Sequence, residues 1–202
     1  MDQPLIVAIN GSPNVKGNTA FMLEEALSEC RSLGARSEWV HCQRMLRGQQ
    51  KSFCSACSSP CSGKCYEGKP LGEAYELLAR ADGILVGSPV YFGSVSGQLK
   101  AFWDKSRLLR SQKGLLNVVG GALSVGSSRF GGQETTLRVI HDIFMVHGMI
   151  SVGDGHYEDD CGHMGAAAQR PAQEDQEAIK RSRILGKRVY QVAQATMSLR
   201  MR

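Results

Sequence analysis

No apolar run in this 202-residue chain approaches the roughly 20 residues needed to cross a bilayer, and no basic-then-apolar leader opens it. These absences predict a cytoplasmic protein with no membrane role. Two familiar nucleotide loops are also missing. No Gly-Lys-Ser/Thr follows a glycine at P-loop spacing, and there is no G-x-G-x-x-G fingerprint. Zinc-finger spacing and RNA-binding aromatic motifs are absent too, which argues against nucleic acid as a partner. Neither an internal repeat nor a low-complexity linker interrupts the chain, so residues 1–202 read as a single α/β domain.

The composition is that of a globular protein, with 42% hydrophobic and 21% charged residues and a net charge of +5. The basic groups form two clusters, Lys100, Lys105, Arg107, Arg110 and Lys113, and Lys180, Arg181, Arg183, Lys187, Arg188, Arg200 and Arg202. Both read first as solvated helix faces, with docking of an anionic cofactor or partner as the alternative. The 7 cysteines are odd in number, and four crowd between 54 and 65, which favours metal binding in a reducing compartment over disulfides.

The chain is organised around its first stretch. Leu5 to Ile9 is an apolar run, Asn10 to Asn18 a small polar loop, and an amphipathic segment opens near Thr19. Gly11 and Gly17 permit tight turns, while Ser12, Asn18 and Thr19 carry short hydrogen-bonding groups. A helix starting there presents unpaired amides and a positive dipole end. With Lys16 beside it, the loop suits a phosphate monoester, and its plainer alternative is an ordinary strand-to-helix turn.

Two more loops follow predicted strands. After Gly83 to Gly87 comes Ser88-Pro89-Val90-Tyr91-Phe92-Gly93, at the carboxyl end where open α/β sheets bind ligands. Pro89 stiffens the turn, Gly93 lets the backbone approach a flat ring, and Tyr91 and Phe92 can pack on an aromatic cofactor. Ser96 is placed to cap a helix through Leu108. A strand at 115–125 leads into Gly126 to Glu134, and a helix over 135–148 and a strand at 149–152 follow. The stretch 153–171 reads as a surface loop, with a mobile cover as its alternative, before a last helix from Pro171 to Ala195 and a frayed end.

Cys54, Cys57, Cys61 and Cys65 stand at successive offsets of three, four and four. A helix would align them on one face, but the serines, Pro60 and Gly63 among them are turn chemistry. Looped around a centre they would supply four thiolates for an iron-sulfur cluster or a structural zinc ion. The single compact run is closer to the cluster pattern, and cysteines that bind no metal are the third reading. Cys30 reads as a core thiol, and His41, His141 and His147 as packing or surface residues.

Strands alternating with helices imply a flavodoxin-like three-layer α/β/α arrangement around a five-stranded parallel sheet in the order 2-1-3-4-5. Gly-Ser-Pro-x-x-x-Gly-Asn-Thr at 11–19, the four-cysteine insert at about 51–66, Gly-Ser-Pro-Val-Tyr-Phe-Gly at 87–93 and Gly-Gly-Gln-Glu at 131–134 resemble the NADPH-dependent FMN reductase-like proteins, and among them the iron-sulfur flavoproteins. The resemblance covers nearly the whole chain. It implies FMN with its phosphate at Ser12, Lys16, Asn18 and Thr19, its isoalloxazine against Pro89, Val90, Tyr91, Phe92 and Gly93, and its far edge near Ser124, Gly126, Arg129 and Gly131. It also implies a [4Fe-4S] cluster on the four cysteines, although the family's compact motif leaves two residues between its second and third cysteines and this chain has Ser58, Ser59 and Pro60 there.

The activity implied is oxidoreduction between a one-electron donor such as ferredoxin and a two-electron acceptor, either a quinone or another small molecule, in a homodimer or homotetramer. No side chain is needed as acid or base. The alternatives are an NAD(P)H-dependent FMN or quinone reductase whose cysteines bind nothing, and a non-catalytic module with a zinc knuckle.

Overall fold

The structure is a computed structural model that describes residues 3–201. Its centre is the strand β1 (Leu5–Asn10), all six residues of which are buried, as a parallel strand covered on both faces requires. The strands β2 (Arg36–His41) and β3 (Gly83–Pro89) flank it, and β4 (Val119–Gly126) and β5 (Ile150–Val152) extend the sheet. Every pairing is parallel, and the order is β2-β1-β3-β4-β5. This is the flavodoxin-like order expected from the sequence.

The fifth position is filled by two pieces. The strand β5 pairs with Val119 to Gly121, and a second strand, β6 (Ala166–Gln169), pairs with Leu123 to Gly126 farther along the same neighbour. The expected loop over 153–171 therefore contains a strand. Its alanines alternate buried and exposed, but alanine has weak strand preference and the pattern is easily read as loop. The residues between β5 and β6 are anchored rather than loose. Asp160 receives both guanidinium nitrogens of Arg181 at 2.8 and 2.7 Å, and Lys187 reaches Glu158 at 2.5 Å.

Alternate residues of each strand face opposite layers. On one side Val7, Ile9, Ile84 and Val86 meet α3 (Pro70–Arg80), α4 (Gly97–Asp104) and α6 (Gln133–Val146) through Leu71, Leu78, Leu99, Phe102, Ile140 and Phe144. On the other, Ile6, Ala8, Leu85 and Leu123 meet α1 (Asn18–Ser32) and α7 (Gln176–Thr196) through Met22, Leu23, Leu27, Leu185 and Val189. Cys30 lies in this second core with its thiol on the Gly186 carbonyl at 3.2 Å.

Two short helices, α2 (Cys42–Leu46) and α5 (Arg107–Ser111), lie on the first side. The helix expected to run unbroken through Leu108 divides into α4 and α5, because Ser106 returns its hydroxyl to the Trp103 carbonyl at 2.7 Å and turns the chain. The end of the chain departs from expectation as well. After a 3-10 turn at Met197–Leu199, Arg200 bonds the carbonyls of Ala79, Gly114 and Leu116, while Arg202 lies outside the described residues. No helix among the described residues is long and apolar enough to cross a membrane.

Candidate flavin and iron-sulfur sites

The loop after β1 is built by short side chains that replace backbone pairing. Asn10 is fully buried and its Oδ1 accepts the Ser12 amide at 2.9 Å. The Ser12 hydroxyl accepts the Asn14 amide at 3.1 Å, and Asn14 Oδ1 accepts the Lys16 amide at 3.0 Å. Gly11 is pressed against the sheet, donating to the Gly87 carbonyl at 2.8 Å, and a Cβ there would stand 2.8 Å from Leu99 Cβ. Ser96 caps α4 by accepting the Leu99 amide at 3.1 Å and donates its hydroxyl to the Gly11 carbonyl at 2.5 Å.

This loop delivers α1 with an open start. Gly17 occupies the N-cap and no side chain caps the helix. The first intrahelical acceptor is the Gly17 carbonyl, bonded by the Phe21 amide at 3.1 Å. The amides of Asn18, Thr19 and Ala20 therefore face outward without an intrahelical partner. Ser12 and Thr19 are almost covered, Lys16 is exposed, and no carboxylate pairs with the Lys16 ammonium among the described residues. Helix amides, two hydroxyls and one ammonium form a donor set that fits a phosphate monoester.

Beyond β3, Tyr91 and Ser94 exchange backbone hydrogen bonds of 2.9 and 3.1 Å and close a two-residue hairpin. Its tip residues Phe92 and Gly93 both have positive φ, 51° and 72°. Glycine adopts that conformation freely, but a phenylalanine there carries local strain. Phe92 is fully exposed and Tyr91 half-exposed. This hairpin abuts the start of α6, where Thr135 Oγ1 donates to the Gly93 carbonyl at 2.8 Å, and the loop before it, where a Cβ on Gly132 would stand 3.0 Å from Gly93 Cα. The expected ring-binding residues thus share one edge of the sheet with Gly126, Arg129 and Gly131.

Ser124 is placed differently from those neighbours. It is fully buried, and its hydroxyl is engaged by the Gln133 carbonyl at 3.1 Å. Gln133 organises the loop: its Oε1 accepts the Gly131 amide at 2.9 Å and its Nε2 donates to the Ser128 carbonyl at 2.6 Å. Reading of the individual residues assigned Gln133 no role, although it lies in the Gly-Gly-Gln-Glu run. A cavity of about 1030 Å³ opens beside it, walled by Arg129, Phe130, Thr135, Ala168 and Arg170 and by the start of α7. None of the phosphate-loop residues lines that cavity.

The cysteine insert is a loop, as its turn residues predict, and no helix or strand covers 47–69. Ser58 Oγ accepts the Ser62 amide at 3.2 Å, and the Lys69 ammonium donates to the Cys65 carbonyl at 3.1 Å. The seven thiols are all free. Among the described residues no three His, Cys, Asp or Glu side chains stand close enough to hold a metal ion. A cluster binds each thiolate at a separate iron and accepts a more open set than a single ion does, and four thiolates are the ligand chemistry it requires.

The insert packs on Tyr66 and Tyr75, whose rings meet edge-on at 4.9 Å. Burial, followed by the charges of Cys61 and Cys65, pushes the Tyr66 phenol up to about 12. The Tyr75 phenol is raised chiefly by burial, with smaller effects from Tyr66, Cys42, Cys65 and Cys54. Cys61, Cys65 and Cys54 thus act electrostatically on this tyrosine pair.

The fold and the two loops define a flavodoxin-like flavoprotein. Residues 4–163 match the family described as NADPH-dependent FMN reductase, and the chain belongs to that family of flavoprotein oxidoreductases. Within it, an iron-sulfur flavoprotein of Methanocaldococcus jannaschii is 40% identical over 193 residues, covering 93% of this chain and 96% of its own. One from Methanosarcina thermophila is 39% identical over 173 residues, 84% of this chain and 85% of its own. A WrbA-like flavodoxin from Agrobacterium tumefaciens superimposes with a TM-score of 0.68 at 20% identity, covering 96% of this chain and 99% of its own. That last likeness concerns the fold.

Proposed function

We propose that this chain is an iron-sulfur flavoprotein that carries FMN at the carboxyl edge of its sheet and a [4Fe-4S] cluster on Cys54, Cys57, Cys61 and Cys65. It passes electrons from a one-electron protein donor such as ferredoxin to a quinone or another small two-electron acceptor. The observation that carries this reading is the presence, in one chain, of an uncapped α1 flanked by Ser12 and Lys16 and of four free cysteines gathered in one loop. When bound, the cluster exchanges electrons singly and the flavin takes one or two, which is the redox chemistry the reaction needs.

The chain's own residues bind and orient. Ser12, Lys16, Asn18 and Thr19 hold the phosphate through charge-assisted hydrogen bonds. Pro89, Val90, Tyr91, Phe92 and Gly93 flank the ring, and Gly126, Arg129 and Gly131 close its far edge. Ser124 acts from beneath by fixing the Gln133 carbonyl. The fully exposed Phe92 and Phe130 support assembly into a homodimer or homotetramer, in which such side chains gain cover.

The open arrangement of the four cysteines favours one second reading, an NAD(P)H-dependent FMN or quinone reductase without a cluster. An absorption spectrum of anaerobically purified protein, with iron, sulfide, zinc and flavin quantified on the same sample, decides between them. Flavin with stoichiometric iron and sulfide is the expected result. Flavin without iron selects the second reading, and zinc without flavin removes both.

A further inference from the structure

We propose that His41 is a positioning residue for the loop after β1: its Nδ1 accepts a hydrogen bond from the Asn10 side chain and so fixes the amide that shapes this loop for the FMN phosphate. This rests on the reading that Ser12, Lys16, Asn18 and Thr19 hold that phosphate. The two residues stand side by side because β1 and β2 pair Asn10 with His41 at their carboxyl ends. Paired residues of neighbouring strands point to the same face of a sheet, and here Asn10 Nδ2 lies 3.3 Å from His41 Nδ1.

Asn10 is fully buried, so each polar atom of its amide needs a partner. Its Oδ1 accepts the Ser12 amide at 2.9 Å. A backbone N–H can only donate, and this fixes which way the side-chain amide faces. Nδ2 is left with two hydrogens to place. One reaches the Asn14 carbonyl at 3.4 Å, and the other points to His41. His41 Nδ1 must therefore be the acceptor, and the ring carries its proton on Nε2. Burial and then the Arg44 charge favour the neutral ring that this arrangement requires.

Asn10 holds the loop at two points. The first is the Ser12 amide; the second is the Asn14 carbonyl, which also receives the amide of Gly17, the N-cap of α1, at 3.5 Å. One side chain thus sets both Ser12 and the approach to the open helix start, and His41 sets that side chain. Without this acceptor, the buried amide can satisfy its second hydrogen only by turning away from Ser12 or Asn14. The relaxed loop then has to be restored when a phosphate binds, so the loss falls on phosphate affinity. His41 acts through Asn10 in this scheme and transfers no proton.

The test titrates the full chain, freed of flavin, with FMN and with riboflavin at pH 8, read by fluorescence quenching. His41→Phe keeps a ring to stack on Trp39, whose centroid lies 5.4 Å from that of His41, but offers no acceptor. It is expected to bind FMN roughly tenfold more weakly and riboflavin as wild type does. His41→Asn puts an amide oxygen where Nδ1 stood and is expected to bring FMN affinity back to within about twofold of wild type. Nitrogen-15 NMR of the wild-type imidazole, assigned by the loss of its signals in His41→Asn, is expected to show Nδ1 unprotonated and Nε2 protonated.

Wild-type FMN affinity in His41→Phe overturns the proposal, and so does an equal loss for both flavins. An asparagine variant no better than the phenylalanine one overturns it too, since ring packing would then be the cause. A proton on Nδ1 does the same, and because it is read on the wild-type chain it decides the matter even if His41→Phe does not fold. Wild-type protein that binds FMN no more tightly than riboflavin fails at the underlying reading instead, because the phosphate then gains nothing from the loop.

Discussion

The Asn18 side chain reaches across 154 positions of sequence to accept the Ala172 amide at 2.9 Å. Through that bond the first turn of α1 is tied to the segment leading into α7. Ala172 is fully buried, so Asn18→Ala leaves a covered amide unpaired at a cost of about 1–3 kcal/mol. Asn18→Asp keeps the acceptor but adds a negative charge beside the phosphate loop. Urea unfolding is expected to rank Asn18→Ala as the less stable variant, and FMN titration to rank Asn18→Asp as the weaker binder. Identical rankings in both measurements would separate Asn18 from the phosphate.

The donor set at the start of α1 predicts a difference between two flavins. Ser12→Ala combined with Thr19→Val removes two hydroxyls, and valine preserves the methyl packing that Thr19 Cγ2 provides near Gly87. Charge-assisted hydrogen bonds contribute about 1.5–3 kcal/mol each, so FMN affinity is expected to fall by at least tenfold. Riboflavin, which lacks the phosphate, is expected to bind the variant and the wild type equally by fluorescence quenching. Equal losses for both flavins would place the phosphate elsewhere.

Much of this arrangement is legible before any coordinates. Buried strands announce themselves as short apolar runs, and β1 and β3 lie where Leu5 to Ile9 and Gly83 to Gly87 predict them. Ser96 caps α4 as its position suggests. The features missed share a physical cause, because they depend on partners remote in sequence or on residues without a strong local signature. The alanines of β6 form a strand only because β4 offers them an edge, and the helix through Leu108 breaks at a local side-chain bond that periodicity cannot register. Gln133 matters through the two carbonyls, the amide and the hydroxyl that it gathers from Ser128, Ala168, Gly131 and Ser124. The shape of the loop after β1 is readable because its turns are made by backbone and short side chains that are contiguous in sequence.

The seven thiols divide by environment. Burial pushes Cys30 up to about 12 and raises Cys42 as well, so neither offers much thiolate near neutral pH. Cys57, Cys65 and Cys161 are exposed, and Cys54 and Cys61 partly so. Brief alkylation of native, metal-stripped protein at pH 8 is expected to label these five and spare Cys30 and Cys42, as read by peptide mass spectrometry. Holoprotein should be labelled mainly at Cys161, because ligated thiolates are withheld. In the same framework Cys57→Ala is expected to lose iron while keeping FMN, and Cys30→Ser to keep both. Full iron retention in Cys57→Ala would count against the cluster assignment.

His147 gives the fold a pH dependence whose sign follows from its surroundings. The ring is 8% exposed, its Nε2 lies 3.0 Å from Ser106 Oγ, and its buried Nδ1 has no partner among the described residues. Burial, followed by the Arg110 charge, lowers it to about 4 from the ordinary 6.5. Between those values the unfolded chain binds a proton that the native state does not, so stability rises with pH across that window. The contribution is complete above about pH 6.5 and is lost as the pH falls toward 4, reaching about 3 kcal/mol. His41, lowered by burial and then by Arg44, adds a slope of the same sign. His147→Gln, which cannot titrate, is therefore expected to show a flatter decline in urea midpoint between pH 7 and 4.5, with the His41 slope remaining. An unchanged decline would mean that His147 binds its proton alike in the native and unfolded chains, so that it contributes no slope.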